Sequence, residues 1–251
     1  DGRVDHSRMR IQWSSAPVDA PVVKWGATSG EYTLSSRYSN PANVSIVPYT
    51  EDDMCDTEVQ PAGLHGFFPP PSNHTAVMYK LEPGTRYYYV YGSDAGGYSP
   101  ERSFVSAPEP SPSHRTVIAA FGDMGNTEQD GSYHHSWDFG DKGEIPSQNT
   151  TNRVGDDKDA EFVLHIGDIS YACGFLSEWD NFFAMVEPVA TSKPWMVGIG
   201  NHEQGFSKSW IPGTDSGGEC GVPYNANFPW ASQNPDAPFQ EREPWYEIVY
   251  G

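Results

Sequence analysis

Residues 160–175 read AEFVLHIGDISYACGF, an apolar run that ends in Gly-Asp, with a tyrosine three residues after the aspartate. The apolar residues of the run include β-branched side chains, a composition that suits a short strand covered on both faces, as in a parallel sheet flanked by helices. Sheets of this kind carry their ligand sites at the carboxyl ends of the strands. The stretch therefore predicts a buried strand that places Asp168 and Tyr171 at a functional edge.

Two other stretches repeat the pattern of an apolar run followed by glycine and polar residues: TVIAAFGDMG (116–125) and WMVGIGNHE (195–203). Between the second and third runs, SEWDNFFAMVEPVA (177–190) has apolar residues near helical spacing, and Ser177 is its predicted N-cap. Strand, helix and strand in this order predict a parallel sheet.

The remaining part of this half is less regular. Residues 126–160 are polar and rich in glycine, and we expect a long loop there with one helix. WYEIVY (245–250) is a further candidate strand.

The first part of the chain has a different pattern. Short β-type runs alternate with turn residues up to position 107, which predicts an all-β sandwich of the immunoglobulin or fibronectin type III kind. In RYYYVYG, Tyr87, Tyr89 and Tyr91 share one strand face and are expected in its core. PEPSPSH is a Pro/Ser linker. We therefore predict a sandwich over 1–107, a linker over 108–114 and an α/β domain over 115–251.

Composition limits the possible partners. The formal net charge of −19 argues against nucleic acid and anionic membranes, because both require a basic surface. No stretch approaches the roughly 20 apolar residues of a membrane helix, so we expect no membrane insertion. Asn-x-Ser/Thr sequons at Asn43, Asn73 and Asn149 suit a secreted, extracellular or cell-wall glycoprotein.

The three strand ends together predict one site. Parallel neighbours would place six polar side chains at the same edge: Asp123, Asp168, Tyr171, Asn201, His202 and Glu203. Carboxylate and amide oxygens suit hard cations, and an aspartate between two ions can bridge them, as two-metal hydrolases require. A phenol is a poor ligand for divalent ions, but as phenolate it binds Fe(III) well. The tyrosine therefore points to iron.

The motifs GDMG, GDISYA and GNHE resemble the first three metal-binding blocks of the purple acid phosphatases, a branch of the calcineurin-like metallophosphoesterases. The stretches YTEDDMC, HTAVMYKLEPGTRYYYVYGSD and GGECGVPYN are similar to the larger plant-type members, so the resemblance covers nearly the whole chain. It implies a fibronectin-like domain followed by the first half of an αββα metallophosphoesterase domain.

The resemblance also implies roles for the metal ligands. Asp123 and Tyr171 would hold Fe(III), Asp168 would bridge, and Asn201 would hold a divalent ion, either Fe, Zn or Mn. The implied reaction is hydrolysis of phosphate monoesters. In it, His202 would bind the phosphate and assist the leaving group as an acid, and Glu203 would orient His202.

One departure from the family pattern matters. The family takes three further ligands from a Val-x-x-His block and a Gly-His-x-His block, and this chain contains neither. The remaining histidines do not replace them, and His165, within the second run, is expected to be a satisfied core residue. We therefore predict that the chain is one piece of a larger polypeptide. The missing ligands would come from its C-terminal remainder or from a second chain, and a homo-oligomer stays open.

The cysteines leave two pairings open. Cys220 lies in the loop after the third block, and a bridge from it to Cys173 at the rim of the site or to Cys55 across the domain boundary fits the sequence equally well. None of the three cysteines has zinc-ligand spacing.

Two functions of different classes follow. The first is a secreted acid phosphatase with a dinuclear Fe(III)–M(II) centre, completed by sequence after Gly251. The second is a catalytically inactive, phosphatase-like structural module of an extracellular glycoprotein assembly, since a fold alone does not guarantee activity.

Overall fold

The computed structural model describes residues 7–36, 44–46, 48–55, 61–64, 66–126, 145–205, 216–248 and 250. Within these, eight strands precede the linker: β1 (Met9–Ser15), β2 (Val22–Gly26), β3 (Leu34–Ser35), β4 (Val44–Ile46), β5 (Ser72–Met78), β6 (Arg86–Ser93), β7 (Gly97–Tyr98) and β8 (Arg102–Val105). A short helix, α1 (Pro61–Leu64), and a 3-10 turn (Glu51–Asp53) lie between β4 and β5.

These strands form two antiparallel sheets, one in the order β1-β5-β4 and the other in the order β3-β2-β6-β7, with β8 also paired to β6. The core between them is aromatic: Trp25, Tyr87, Tyr89 and Phe104 are buried, and Tyr91 packs against them. The predicted sandwich and the shared face of the three tyrosines are thereby confirmed. Burial of these large rings adds to that of the aliphatic and sulfur-containing side chains of the same core, which include Val23, Met78 and Leu81.

The second part contains a three-stranded parallel sheet in the order β11-β10-β9, made of β9 (Ile118–Phe121), β10 (Phe162–His165) and β11 (Trp195–Val197). Residue Val163 pairs with Ala119 on one side and with Trp195 on the other. The three apolar runs are therefore adjacent strands whose carboxyl ends meet at one edge, as the sequence predicted.

In the described ranges after the linker, the helices are α2 (Ile145–Asp156), α3 (Ser177–Ala190), α4 (Asn201–Gln204) and α5 (Val222–Asn227), with a 3-10 turn at Phe239–Glu241. The apolar side of α3, which includes Trp179 and Phe182, is buried in the main core. The helix predicted within 126–160 is α2, while 127–144 lie outside the described residues. The exact domain boundaries stay a prediction.

Two local predictions were wrong. Ser177 is the first residue of α3 and not its cap, because the cap position is occupied by Leu176, which is buried and donates its backbone N–H to the carbonyl of Gly66 (2.9 Å). Residues 245–248 form no strand. The carbonyl of Trp245 accepts from the side chain of Gln233 (3.0 Å), and the hydroxyl of Tyr246 donates to the carbonyl of Val197 (2.6 Å). This segment is held by side chains and not by a strand ladder.

The three sequons differ in the structure. Asn149 is exposed on α2, and Asn43 lies outside the described residues. Asn73 is only 5% exposed, and its amide nitrogen donates to Oδ1 of Asn227 (2.9 Å) and to the carbonyl of Ala226 (3.3 Å). This amide is already used inside the fold, which speaks against a glycan at Asn73, and glycosylation at the three sequons stays a prediction.

Other contacts join the two parts of the chain. Tyr89 donates its hydroxyl to the carbonyl of Thr191 at the end of α3 (2.7 Å), and Arg102 pairs with Glu187 (2.6 Å). Among the described residues, no helix has both the length and the apolar character needed to cross a membrane.

Part of the parallel sheet is exposed. Ile118 in β9 is 44% exposed and Ile166, just after β10, is 61% exposed, whereas Phe162 in β10 is buried and contacts the ring of Tyr250. Parallel sheets are normally covered on both faces, so these two isoleucines are unusually exposed to solvent.

Candidate metal centre

Asp123 and Asp168 lie in the loops that follow β9 and β10, and these two loops are hydrogen-bonded to each other. The N–H of Asp123 donates to the carbonyl of Gly167 (3.1 Å), and the N–H of Met124 donates to the carbonyl of Asp168 (3.3 Å). Both aspartates adopt the left-handed region, with φ of 53° and 49°. Non-glycine residues rarely adopt this conformation, and at strand ends it is a mark of functional turns.

Tyr171 completes a cluster of oxygen atoms. Its hydroxyl donates to Oδ1 of Asp123 (3.0 Å) and lies 3.5 Å from Oδ2 of Asp168. Tyr171 is also left-handed, with φ of 52°, which directs the ring back toward the strand ends. The structure therefore brings together three of the four predicted metal ligands.

The short helix α4 follows the third strand and begins at Asn201, whose side chain is exposed. The N–H of His202 donates to Oδ1 of Asp168 (3.0 Å). A Cβ on Gly200 would lie 2.0 Å from the same Oδ1, so only glycine lets the two loops approach this closely. The GNHE block is thus fixed directly against the predicted bridging aspartate.

The ring of His202 packs against the phenol ring of Tyr171, with 4.3 Å between centroids. On its other side, Nδ1 lies 3.6 Å from the sulfur of Cys173, which is buried. The ring is therefore held at the rim of the cluster by an aromatic and a thiol.

Glu203 is 1% exposed and accepts two backbone bonds, from the N–H of Ile169 to Oε1 (2.7 Å) and from the N–H of Gly200 to Oε2 (2.9 Å). Burial raises its pKa to about 7, and the backbone bonds oppose this shift. Its carboxylate fixes the backbone on either side of the site. The predicted action on His202 would therefore pass through their shared short helix.

His165 was predicted to be a satisfied core residue, and only half of this is correct. It is fully buried, with ring centroids 5.0 Å from Phe121 and 5.9 Å from Phe182, and its ring nitrogens have no well-formed hydrogen bond in the described structure, only an interaction with the backbone of Asp168. Burial lowers its pKa to about 4. The imidazole acts as a neutral aromatic spacer behind the site.

The donors fit the implied metals, although they form an incomplete set. The cluster offers carboxylate, phenol and amide oxygens, which hard cations prefer. Within the described ranges, no group of three or more His, Cys, Asp or Glu side chains is placed to hold a metal ion.

Of the two disulfide pairings, the structure has Cys55–Cys220, with 6.0 Å between the Cα atoms. The pairing Cys173–Cys220 is wrong, because Cys220 is bonded to Cys55 and Cys173 is a buried thiol outside the disulfide, with its sulfur 3.6 Å from Nδ1 of His202. The bridge links the loop before α1 to the loop after the third block.

Sequence reasoning missed one buried acid. Glu219 is 1% exposed and accepts from the N–H of Gly174 (2.9 Å) and from the indole of Trp179 (3.0 Å). In the sequence, Glu219 lies in the stretch GGECG, and nothing in that stretch indicates that its carboxyl group is buried.

Comparison with known proteins identifies the family and the fold. The model of the purple acid phosphatase N-terminal domain matches residues 2–106, and that of the calcineurin-like phosphoesterases matches residues 116–249. The probable inactive purple acid phosphatase 1 of Arabidopsis thaliana is 37% identical over 97% of this chain and 38% of its own length. A nucleotide pyrophosphatase/phosphodiesterase of Hordeum vulgare is 40% identical over 59% of this chain and 38% of its own.

A solved structure agrees with these sequence matches. A purple acid phosphatase isolated from yellow lupin seeds superposes with a TM-score of 0.77 at 30% identity, over 98% of this chain and 41% of that one. The chain therefore belongs to the calcineurin-like phosphoesterases and, within them, to the purple acid phosphatases. The predicted fold class is thereby confirmed. The chain spans well under half the length of these relatives.

Proposed function

We propose that this chain is the N-terminal part of a hydrolase of phosphate monoesters, with a centre that holds Fe(III) and a divalent Fe, Zn or Mn ion. The observation that carries the proposal is the contact of Tyr171 with both Asp123 and Asp168 at the strand ends. Packing alone gives no reason to place two left-handed aspartates against a phenol.

Each ligand has a defined place in this proposal. Asp123 and Tyr171 would hold the ferric ion, Asp168 would contact both ions, and Asn201 would hold the divalent ion. When bound, the ions would supply Lewis-acid polarisation of the ester and stabilise the charge that develops on its oxygens.

The chain's own residues would do the rest. The ring of His202 stands at the rim, 4.3 Å from the ring of Tyr171, where it can donate a hydrogen bond to a phosphate oxygen and a proton to the departing alcohol oxygen. Glu203 would keep that ring in place through the two backbone bonds that fix the start of α4.

The missing ligands would come from a C-terminal remainder of the same polypeptide. Two observations support this: the Arabidopsis relative is matched over only 38% of its length, and the sheet has exposed apolar side chains at Ile118 and Ile166. Further secondary structure packed against these side chains would remove their apolar surface from water.

Secretion is part of the same proposal. The Cys55–Cys220 disulfide is supporting evidence, because such bonds persist in oxidising compartments. Asn149, exposed on α2, and Asn43 are the proposed glycan sites.

The test uses the full-length protein, purified without chelators. Wild type is expected to contain about two metals per chain with iron among them, a tyrosinate-to-iron colour, and turnover of p-nitrophenyl phosphate. Asp168→Asn should lose metal and activity, while Asp159→Asn, an exposed aspartate away from the site, should keep both. Full turnover by the Asp168 variant would refute the assignment.

Bis(p-nitrophenyl) phosphate tests for diester cleavage, which the name of the barley relative suggests.

A second candidate function is an inactive structural module of an extracellular assembly. It is favoured by the names of three Arabidopsis relatives, each called a probable inactive purple acid phosphatase. Absence of metal from the full-length protein, together with a symmetric interface that buries the strand ends, would establish this reading over the first.

A further inference from the structure

The segment of residues 216–221 packs directly beneath the turn that carries Tyr171. Gly217 lies so close that an added Cβ would stand 1.9 Å from the carbonyl oxygen of Cys173. At the far end of the segment, the N–H of Gly221 donates to the carbonyl of Glu203 (2.7 Å). The segment therefore contacts both the second and the third block of the candidate site.

The turn above it has an unusual backbone. Tyr171, Cys173 and Gly174 all have positive φ, of 52°, 48° and 88°. Two of these are not glycine, and such residues keep this conformation only where surrounding contacts impose it. Some group outside the turn must therefore hold it.

Glu219 makes hydrogen bonds that stabilise this turn. One of its carboxylate oxygens accepts from the N–H of Gly174, and the other accepts from the indole N–H of Trp179, which is fixed in the core on α3. The carboxyl group thus ties the end of the turn to the helix behind it. A buried acid costs free energy on its own, so its retention here calls for a structural or functional gain.

The segment is itself anchored by the N-terminal part of the chain. Cys55 is bonded to Cys220, the N–H of Cys55 donates to the carbonyl of Gly218 (2.9 Å), and the N–H of Ala62 donates to the carbonyl of Gly217 (3.0 Å). A chain of contacts therefore leads from the loop before α1, through Glu219, to the tyrosine turn.

We propose that Glu219 is a positioning residue that fixes the turn of Tyr171 and, through it, the ferric ligand. The metal part of this inference rests on the proposed function, whereas the positioning of the tyrosine does not. Glu219 touches neither of the aspartates and acts only through the backbone of the turn.

The experiment compares Glu219→Gln and Glu219→Leu in the full-length protein. The matched control is Glu161→Gln, since Glu161 also accepts a backbone N–H, that of Val117, but lies at the opposite end of β10. Amide exchange of Gly174 is expected to rise about tenfold in the leucine variant, the factor that corresponds to the loss of one net hydrogen bond, and to rise less in the glutamine variant. Exchange in α2 should not change in either.

The second readout is the position of Tyr171. With iron bound, the leucine variant should show a weaker and shifted tyrosinate-to-iron band, partly restored in the glutamine variant. If the wild type binds no iron, the proposed function fails, but the positioning role of Glu219 can still be tested. A crystal structure of the leucine variant then decides, and loss of the contact between Tyr171 and Asp123 supports the role.

The proposal would be overturned if, in the leucine variant, the amide of Gly174 exchanged at the wild-type rate and Tyr171 kept its wild-type position. Should the leucine variant fail to fold, the same two measurements on the glutamine variant decide in the same way.

Discussion

Removal of the Cys55–Cys220 disulfide is expected to lower the free energy of unfolding substantially, because the bond closes a loop of 165 residues that includes both parts of the chain. Cross-linking restricts the unfolded chain, and the chain-entropy relation gives about 5 kcal/mol at 25 °C for a loop of this length. Real unfolded chains keep residual structure, which reduces the effect. We expect a loss of about 3 to 5 kcal/mol.

The perturbation is Cys55→Ala with Cys220→Ala, made in the full-length protein. Guanidinium unfolding is followed by tryptophan fluorescence and by circular dichroism, and the two curves must coincide for one free energy to be defined. The control is Cys173→Ala, which removes a buried thiol without removing a cross-link and should cost about 1 kcal/mol.

A loss below about 1 kcal/mol with coincident curves would refute the reasoning, since it would mean that the bond does not restrict the unfolded state of a cooperative unit. Two separate transitions in the double variant, where the wild type has one, would instead show that the bridge couples the two parts of the chain.

Three other changes have defined outcomes. Gly200→Ala should release bound metal as measured by elemental analysis, because its Cβ would overlap Oδ1 of Asp168, whereas Gly155→Ala meets only a valine methyl at 3.1 Å and should bind normally. Burial raises the pKa of Glu219 from 4.5 to about 8, so the native state binds more protons than the unfolded one. Stability should therefore fall as pH rises between these values, and urea midpoints of Glu219→Gln should fall less steeply. His165→Phe removes two buried ring nitrogens that lack a well-formed hydrogen bond and should leave stability equal or raise it by up to about 1 kcal/mol in the same assay.

Much of the site could be predicted from the sequence, because its signal is local. Each block is an apolar run followed by a glycine and a polar side chain, and adjacency of parallel strands then brings Asp123, Asp168 and Asn201 to one edge. The tyrosine follows its aspartate by three residues, so its proximity depends on a single turn.

What the sequence could not supply depends on contacts between distant segments. Cys220 pairs with Cys55 and not with Cys173, because the loop of 216–221 packs against the region before α1. Asn73 has a sequon, but it is buried against Asn227, a residue 154 positions away. Glu219 is surrounded by glycines and a cysteine in the sequence, and its bond to Trp179 exists only after α3 has packed.

The left-handed backbone at Asp123, Asp168 and Tyr171 sets backbone conformation against the proposed chemistry. Each position holds a conformation that glycine would adopt without a steric penalty. A glycine there would relax the turn but would remove a side chain that the proposed metal centre needs, so the same three positions that would hold the metals are the ones where the backbone is strained.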